Sequence, residues 1–120
     1  MQDVESALAA FIAAFNALDF ERFRRCLAPD VSLVPPGPSG TSLIEGAAAV
    51  EAHFAAVFRA EAPEGPGIRP THVRVTRLSD QAAFVTFEFA RSQGSIGRRT
   101  LAFHSVEGEW KIVHIHASNT

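Results

Sequence analysis

Near the start of the chain, apolar residues recur at four- and three-residue steps. Val4, Leu8, Phe11, Phe15 and Leu18 stripe the segment DVESALAAFIAAFNALD. That spacing puts them on one face of an α-helix, and Asp3 ahead of it carries the side chain an N-cap needs. A second, shorter helix is predicted after the cap Asp19, with Phe20, Phe23 and Leu27 on one side, Arg22 and Arg25 on the other, and Pro29 as its stop. DVSLV then reads as a short strand, ended by PPGPSG, which cannot continue a ladder. EGAAAVEAHFAAVFRA returns to helical spacing, with Val50, Phe54, Val57 and Phe58 facing a core, and APEGPGIRP breaks it. The stretches THVRVTRLS, AAFVTFEFA, RRTLAFHSV and EWKIVHIHA predict four strands joined through Asp80-Gln81, residues 92–97 and Glu107-Gly108. Helices first and strands second imply an α+β fold. Three N-terminal helices gather on one face of a curved antiparallel sheet, with residues 1–120 as one domain.

The last hairpin decides which residues share a face. A two-residue Glu107-Gly108 turn pairs Ser105 with Trp110 and sets His114 beside Leu101. A three-residue loop with Gly108 as a left-handed bulge pairs Ser105 with Glu109 instead. The second register collects His104, Trp110, His114 and His116 on one face and Leu101, Phe103, Val113 and Ile115 on the other. It is favoured here because it separates a nearly pure apolar face from a mixed one.

Composition narrows the function classes. With 120 residues, 47% hydrophobic and 20% charged, the chain is long enough to bury a core without staples. A net charge of −2 makes no electrostatic case for nucleic acid or an anionic membrane. The single cysteine, Cys26, excludes an internal disulfide and fits a reducing compartment. No apolar run approaches a membrane span and no leader is evident, so a cytoplasmic location is expected. Phosphate-cradling glycine loops, nucleophile elbows, CxxC pairs and paired-carboxylate motifs are missing.

The succession NALDFERFRRCLAPDVSLVPPG, LIEGAAAVEAHF and GEWKIVHIHAS resembles the SnoaL-like branch of the nuclear transport factor 2-like superfamily. The likeness spans nearly the whole chain. It implies a cone-shaped fold, also called cystatin-like, that encloses an apolar pocket open at one end. It also implies a homodimer formed through the outer sheet face. WKIVHIHAS looks like the terminal strand of the calcium/calmodulin-dependent kinase association domain, a non-catalytic assembly module of the same fold. In the ketosteroid isomerase branch, catalysis requires an aspartate base after the first strand and a tyrosine on the first helix. The matching base position here is Pro35, and the chain has no tyrosine. Scytalone dehydratase-like chemistry, which also uses tyrosines, is disfavoured for the same reason.

Candidate chemistry is therefore sparse. His114 and His116 lie two apart on a strand and point the same way. As metal ligands they need a third donor, for which His104 is the geometric candidate, but no dense cluster of donors completes such a site. Neither a metal nor a cofactor is expected. An interface role for His104, Trp110, Ile112, His114 and His116 fits the resemblance. Glu88 interrupts an apolar strand on the face of Phe84 and Thr86. It is either a buried acid or base in the pocket or one half of an ion pair with Arg98 or Arg99. His53, beside the core stripe of the third helix, is the other candidate acid/base, and Arg99 is a candidate orienting cation. Pocket walls are expected from Phe11, Phe15, Phe54, Phe58, Phe84, Glu88, Arg99, Leu101, Phe103, Val113 and Ile115, a lining suited to a small apolar or cyclic molecule. Two functions stay open: small-molecule binding with cofactor-free isomerase, cyclase or dehydratase chemistry, and a non-catalytic homodimerisation module.

Overall fold

The computed structural model describes residues 3–37, 42–61 and 67–120, so parts of PPGPSG and APEGPGIRP lie outside the described residues. Helix α1 (Val4–Asn16) begins where the sequence predicts, with the Asp3 carboxylate accepting from the Ser6 N–H at 2.8 Å. Helix α2 (Phe20–Arg25) is capped by Asp19 in the same way but ends sooner than Pro29 suggests. Cys26 closes it, and strand β1 (Leu27–Val34) runs straight through the proline. The cause is tertiary. The Ile112 N–H donates to the Cys26 carbonyl at 2.8 Å and Lys111 Nζ donates to the Arg25 carbonyl, so the last strand captures the chain before another turn of helix forms. Pro29 falls in a register shift between Leu27 and Ser32, where its missing N–H leaves no ladder bond broken.

A two-residue strand β2 (Ile44–Glu45), absent from the sequence expectation, pairs with β1 before helix α3 (Ala47–Glu61). Strands β3 (Thr71–Arg77), β4 (Ala82–Ala90), β5 (Ile96–Val106) and β6 (Glu109–Asn119) form the expected antiparallel meander, and β1 joins β6 in parallel. The order across the sheet is β2-β1-β6-β5-β4-β3. Among the described residues no helix is long and apolar enough to cross a membrane.

Helices and sheet meet on a core that includes Val4, Leu8, Phe11, Phe23, Leu33, Val50, Val85, Phe103 and Ile112. Phe23 is wholly buried, with its ring centroid 5.0 Å from Phe11, 4.7 Å from Phe54 and 5.0 Å from Phe58. One ring from α2 thus ties α1 to α3, and such aromatic pairs contribute beyond the area they bury.

The β5–β6 hairpin corrects the favoured register. Glu107 and Gly108 both adopt positive φ, at 55° and 81°, the signature of a two-residue type I′ turn, and Ser105 pairs with Trp110. The extra residue lies further along, at Val113, where the pairing jumps from Phe103–Ile112 to Ala102–His114. A bulge there flips strand parity by one residue. Trp110 and Ile112 consequently face the helices and pack in the core, not the outer surface assigned to them, and Val113 occupies the bulge rather than a pocket wall. His104, His114 and His116 share the outer face, opposite Lys111, Ala102 and Thr100 respectively.

Ile112 has no exposed surface, so Ile112→Ala should lower the unfolding free energy by about 2–5 kcal/mol in urea denaturation with an unchanged m value. A loss below about 0.5 kcal/mol, the range of a surface change, would put Ile112 on the outside after all.

Candidate functional site

Along the inner face of each strand the residues change role with position, and several of the buried ones also border a cavity. On β4, Val85 packs in the core while Phe87 and Phe89 line a cavity of about 360 Å³. On β5 the core residue is Phe103 and the lining residues are Leu101 and Arg99. On β6 Ile112 packs, and Ile115, Ala117 and Asn119 line. Each strand thus passes from large packed side chains at one end to cavity wall at the other. The helices supply Phe11, Phe15, His53, Phe54 and Val57 to the opposite wall, and β1 with the segment after it supplies Leu33, Pro35 and Pro36. The Asn16 side chain accepts from the Ile68 N–H at 2.6 Å and donates to its carbonyl at 2.8 Å, which pins Gly67 and Ile68 against the same space. Gly67 has φ +76° and sits so close that a Cβ there would lie 2.8 Å from Asn16 Oδ1, so no other residue fits without moving that bracket.

Arg99 is the most constrained polar group on this wall. Its guanidinium carbon stands 4.8 Å from the centroid of the Phe89 ring, and the distal edge of Phe89 in turn lies over Gly97, where any Cβ would collide with the ring. Arg99 Nη1 donates to the carbonyls of Arg98 and Ser118, at 2.9 and 3.1 Å, and to Asn119 Oδ1 at 3.1 Å. Burial, with the nearby positive charge of Arg91, pushes Arg99 down to about 10, still far above neutrality. Among the described residues no carboxylate pairs with it. Arg91, also on the wall, donates to Ser95 Oγ at 2.9 Å.

The structure brings Phe11, Phe15, Phe54, Arg99, Leu101, Ile115 and His53 to the cavity. Phe58 and Phe103 are instead packed in the core. Phe84 and Glu88 are corrected to the outer face, because the apolar stripe of β4 is Val85-Phe87-Phe89 and the alternate residues must point away. There Glu88 bridges His72 Nδ1 at 3.2 Å and Arg98 Nε at 3.5 Å, the ion-pair reading of this residue, beside a wide open depression. The face of β4 was legible in advance from that unbroken stripe. The contributions of Ala117 and Asn119 carried no comparable signal.

Of the remaining candidates, His114 Nδ1 lies 2.7 Å from Ser32 Oγ, an outer-face bond between β6 and β1. Among the described residues no three His, Cys, Asp or Glu side chains converge in a group able to hold a metal ion. Cys26 Sγ sits 3.5 Å from the Arg22 carbonyl, and burial pushes its thiol up, away from a nucleophilic thiolate. His53 stacks edge-on against Phe54 at 5.4 Å, and burial lowers its pKa.

Comparison with known proteins follows the same outline. A family model described as a SnoaL-like domain matches residues 4–120. The chain belongs to the SnoaL-like family. Among solved structures, this SnoaL-like chain is similar to an NTF2-like protein of unknown function from Pseudomonas putida KT2440, with 17% identity, a TM-score of 0.81, and 96% of this chain and 82% of that one covered. It is similar also to a candidate dehydratase of the NTF2-like family from Streptomyces avermitilis (22% identity, TM-score 0.78, 98% and 93% covered). A third neighbour is a candidate calcium/calmodulin-dependent protein kinase type II association domain from Thiobacillus denitrificans ATCC 25259 (24% identity, TM-score 0.73, 97% and 94% covered). At these identities the likeness establishes the nuclear transport factor 2-like, cystatin-like fold alone. No curated protein matches the SnoaL-like sequence.

His53 makes a pH prediction. Its folded-state pKa lies below the ordinary 6.5, so the unfolded chain takes up the proton first as pH falls. Above about pH 6.5 the residue leaves stability unchanged, and below it stability is lost progressively until the folded-state pKa is passed. Between about pH 8 and about pH 5, His53→Gln should therefore lose less unfolding free energy than wild type in parallel denaturant titrations. Identical losses would mean that His53 is hydrated in the folded protein.

Proposed function

We propose that this SnoaL-like chain binds a small, largely apolar molecule in the cavity between its helices and the inner face of its sheet. The observation that carries this reading is the wall itself. Phenylalanines from both layers surround about 360 Å³ of space, and the polar groups are few: His53, Arg91, Ser92, Arg99 and Asn119. Ligand sites in general are apolar enclosures with a small number of placed polar groups. SnoaL-like and NTF2-like domains include small-molecule binding and isomerase- or dehydratase-like proteins.

Binding is favoured over turnover. Acid–base chemistry needs two groups within hydrogen-bond reach of one reacting position. On the described wall, His53 is the one residue whose ordinary pKa lies near neutrality. Pro35, at the position where an isomerase would carry its base, is buried on the wall and has nothing to ionise. A neutral fluorescent probe, N-phenyl-1-naphthylamine, should bind the wild type and lose at least about tenfold in affinity when Ala117→Phe fills the space. A wild type that leaves the probe free in water, or an Ala117→Phe protein that binds it equally well, would remove the cavity from consideration.

The outer face of the sheet is proposed as the contact of a homodimer, in line with members of this family, which often form dimers. His104, His114 and His116 flank the outer-face positions Ala102, Phe84 and Thr100, none of which carries a charge. The lone, half-buried Cys26 accords with a cytoplasmic setting. Ala102→Arg places a cation in the middle of this patch and should convert dimers to monomers in sedimentation velocity. A dimer that survives the substitution would move the contact to another surface.

A further inference from the structure

Resting on the reading of the cavity as a small-molecule site, we infer that its ligand is an apolar monocarboxylic acid, held at the Arg99 end of the cavity. Three features of the wall point to a single negative charge on an otherwise apolar body.

The first is the charge balance. Both charged residues on the described wall, Arg91 and Arg99, are positive, and it contains no aspartate or glutamate. The acidic residue nearest in sequence to this end, Glu88, is engaged elsewhere and faces outward against His72 and Arg98. A guanidinium drawn partly out of water without a counter-charge is costly, and an entering anion removes that cost.

The second is the hydrogen-bond inventory of Arg99. Its three protein acceptors all fall on Nη1, while Nε and Nη2 take none among the described residues. No fully buried side-chain nitrogen is left unpartnered among the described residues, so neither nitrogen is fully buried. Nε and Nη2 form one edge of the guanidinium, the fork that matches the two oxygens of a carboxylate. The three bonds of Nη1 and the Phe89 ring against the guanidinium carbon restrict the position of that fork. A pre-oriented fork loses little freedom on binding.

The third is the rest of the enclosure. Phe11, Phe15, Phe54 and Phe87 offer no polar partner, so they suit the hydrocarbon part of the ligand and disfavour a multiply charged one. A sugar or a phosphate ester would leave most of its hydroxyls or charges unpaired against these rings.

The test compares matched acids and amides of two shapes, 2-naphthoate with 2-naphthamide and decanoate with decanamide, by isothermal titration. For at least one pair, wild type should bind the acid at least about tenfold tighter than the amide. Arg99→Gln should erase that preference and Arg91→Gln should reduce it. Arg98→Gln, which removes the same charge one residue away but on the outer face, should leave it intact. Should Arg99→Gln fail to fold by circular dichroism, the wild-type preference together with its reduction in Arg91→Gln decides the question. Equal binding of acid and amide, or a preference lost equally in Arg98→Gln, overturns the carboxylate inference and leaves the cavity reading standing. Failure of both acids and amides to bind, with N-phenyl-1-naphthylamine also excluded, overturns the two together.

Discussion

The ring of Phe23 has no solvent exposure and lies within 4.7 to 6.4 Å of the rings of Phe11, Phe15, Phe20, Phe54 and Phe58. The three helices are thereby fixed to one another through a single aromatic centre. Because Phe11, Phe15 and Phe54 also face the cavity, the same contacts that hold the helical layer together set the shape of one wall. Interiors are close-packed wherever side chains can reach, so a hollow needs an abutment that cannot collapse into it. Rings locked against Phe23 supply that abutment.

The opposite wall is set by a change of residue size along each strand. On β6 the inward residues run Trp110, Ile112, Ile115, Ala117, Asn119, and on β5, read the other way, Phe103, Leu101, Arg99, Gly97. The large residues fill the sheet at one end. Toward the other, alanine and glycine leave room, and the polar side chains of Arg99 and Asn119 occupy its edge. The hollow and its positive charge therefore arise from one gradient. Placing Phe89 on Gly97 and Arg99 on Phe89 keeps the guanidinium on the inner face despite its charge, a stack that glycine alone permits.

Charge is partitioned between the two faces. The inner face of the described cavity carries arginines and no carboxylates, and the outer face carries Glu88 with its partners His72 and Arg98, together with His104, His114 and His116. The bulge at Val113 maintains that partition. Without it, the type I′ turn at Glu107-Gly108 would have turned His114 inward and Val113 outward. One inserted residue restores the apolar positions Ile115 and Ala117 to the interior.

Periodicity along the chain was enough to determine the α1 and α3 helices, the β3–β6 meander and the α+β class, because these depend on contacts between near neighbours and on strand alternation. The element order likewise sufficed for the family outline. The outward turn of Glu88 and Phe84 could be read from the unbroken stripe of β4, whereas tertiary structure alone decided the end of α2 at Cys26, the tiny β2 and the bulge at Val113. Each of these depends on a hydrogen bond or packing partner far along the chain, such as Ile112 on Cys26 or Ile44 on Leu33, and local propensity holds no record of such a partner. A strand pattern states which residues alternate. It takes a second strand, in register, to say which of the two faces meets the helices.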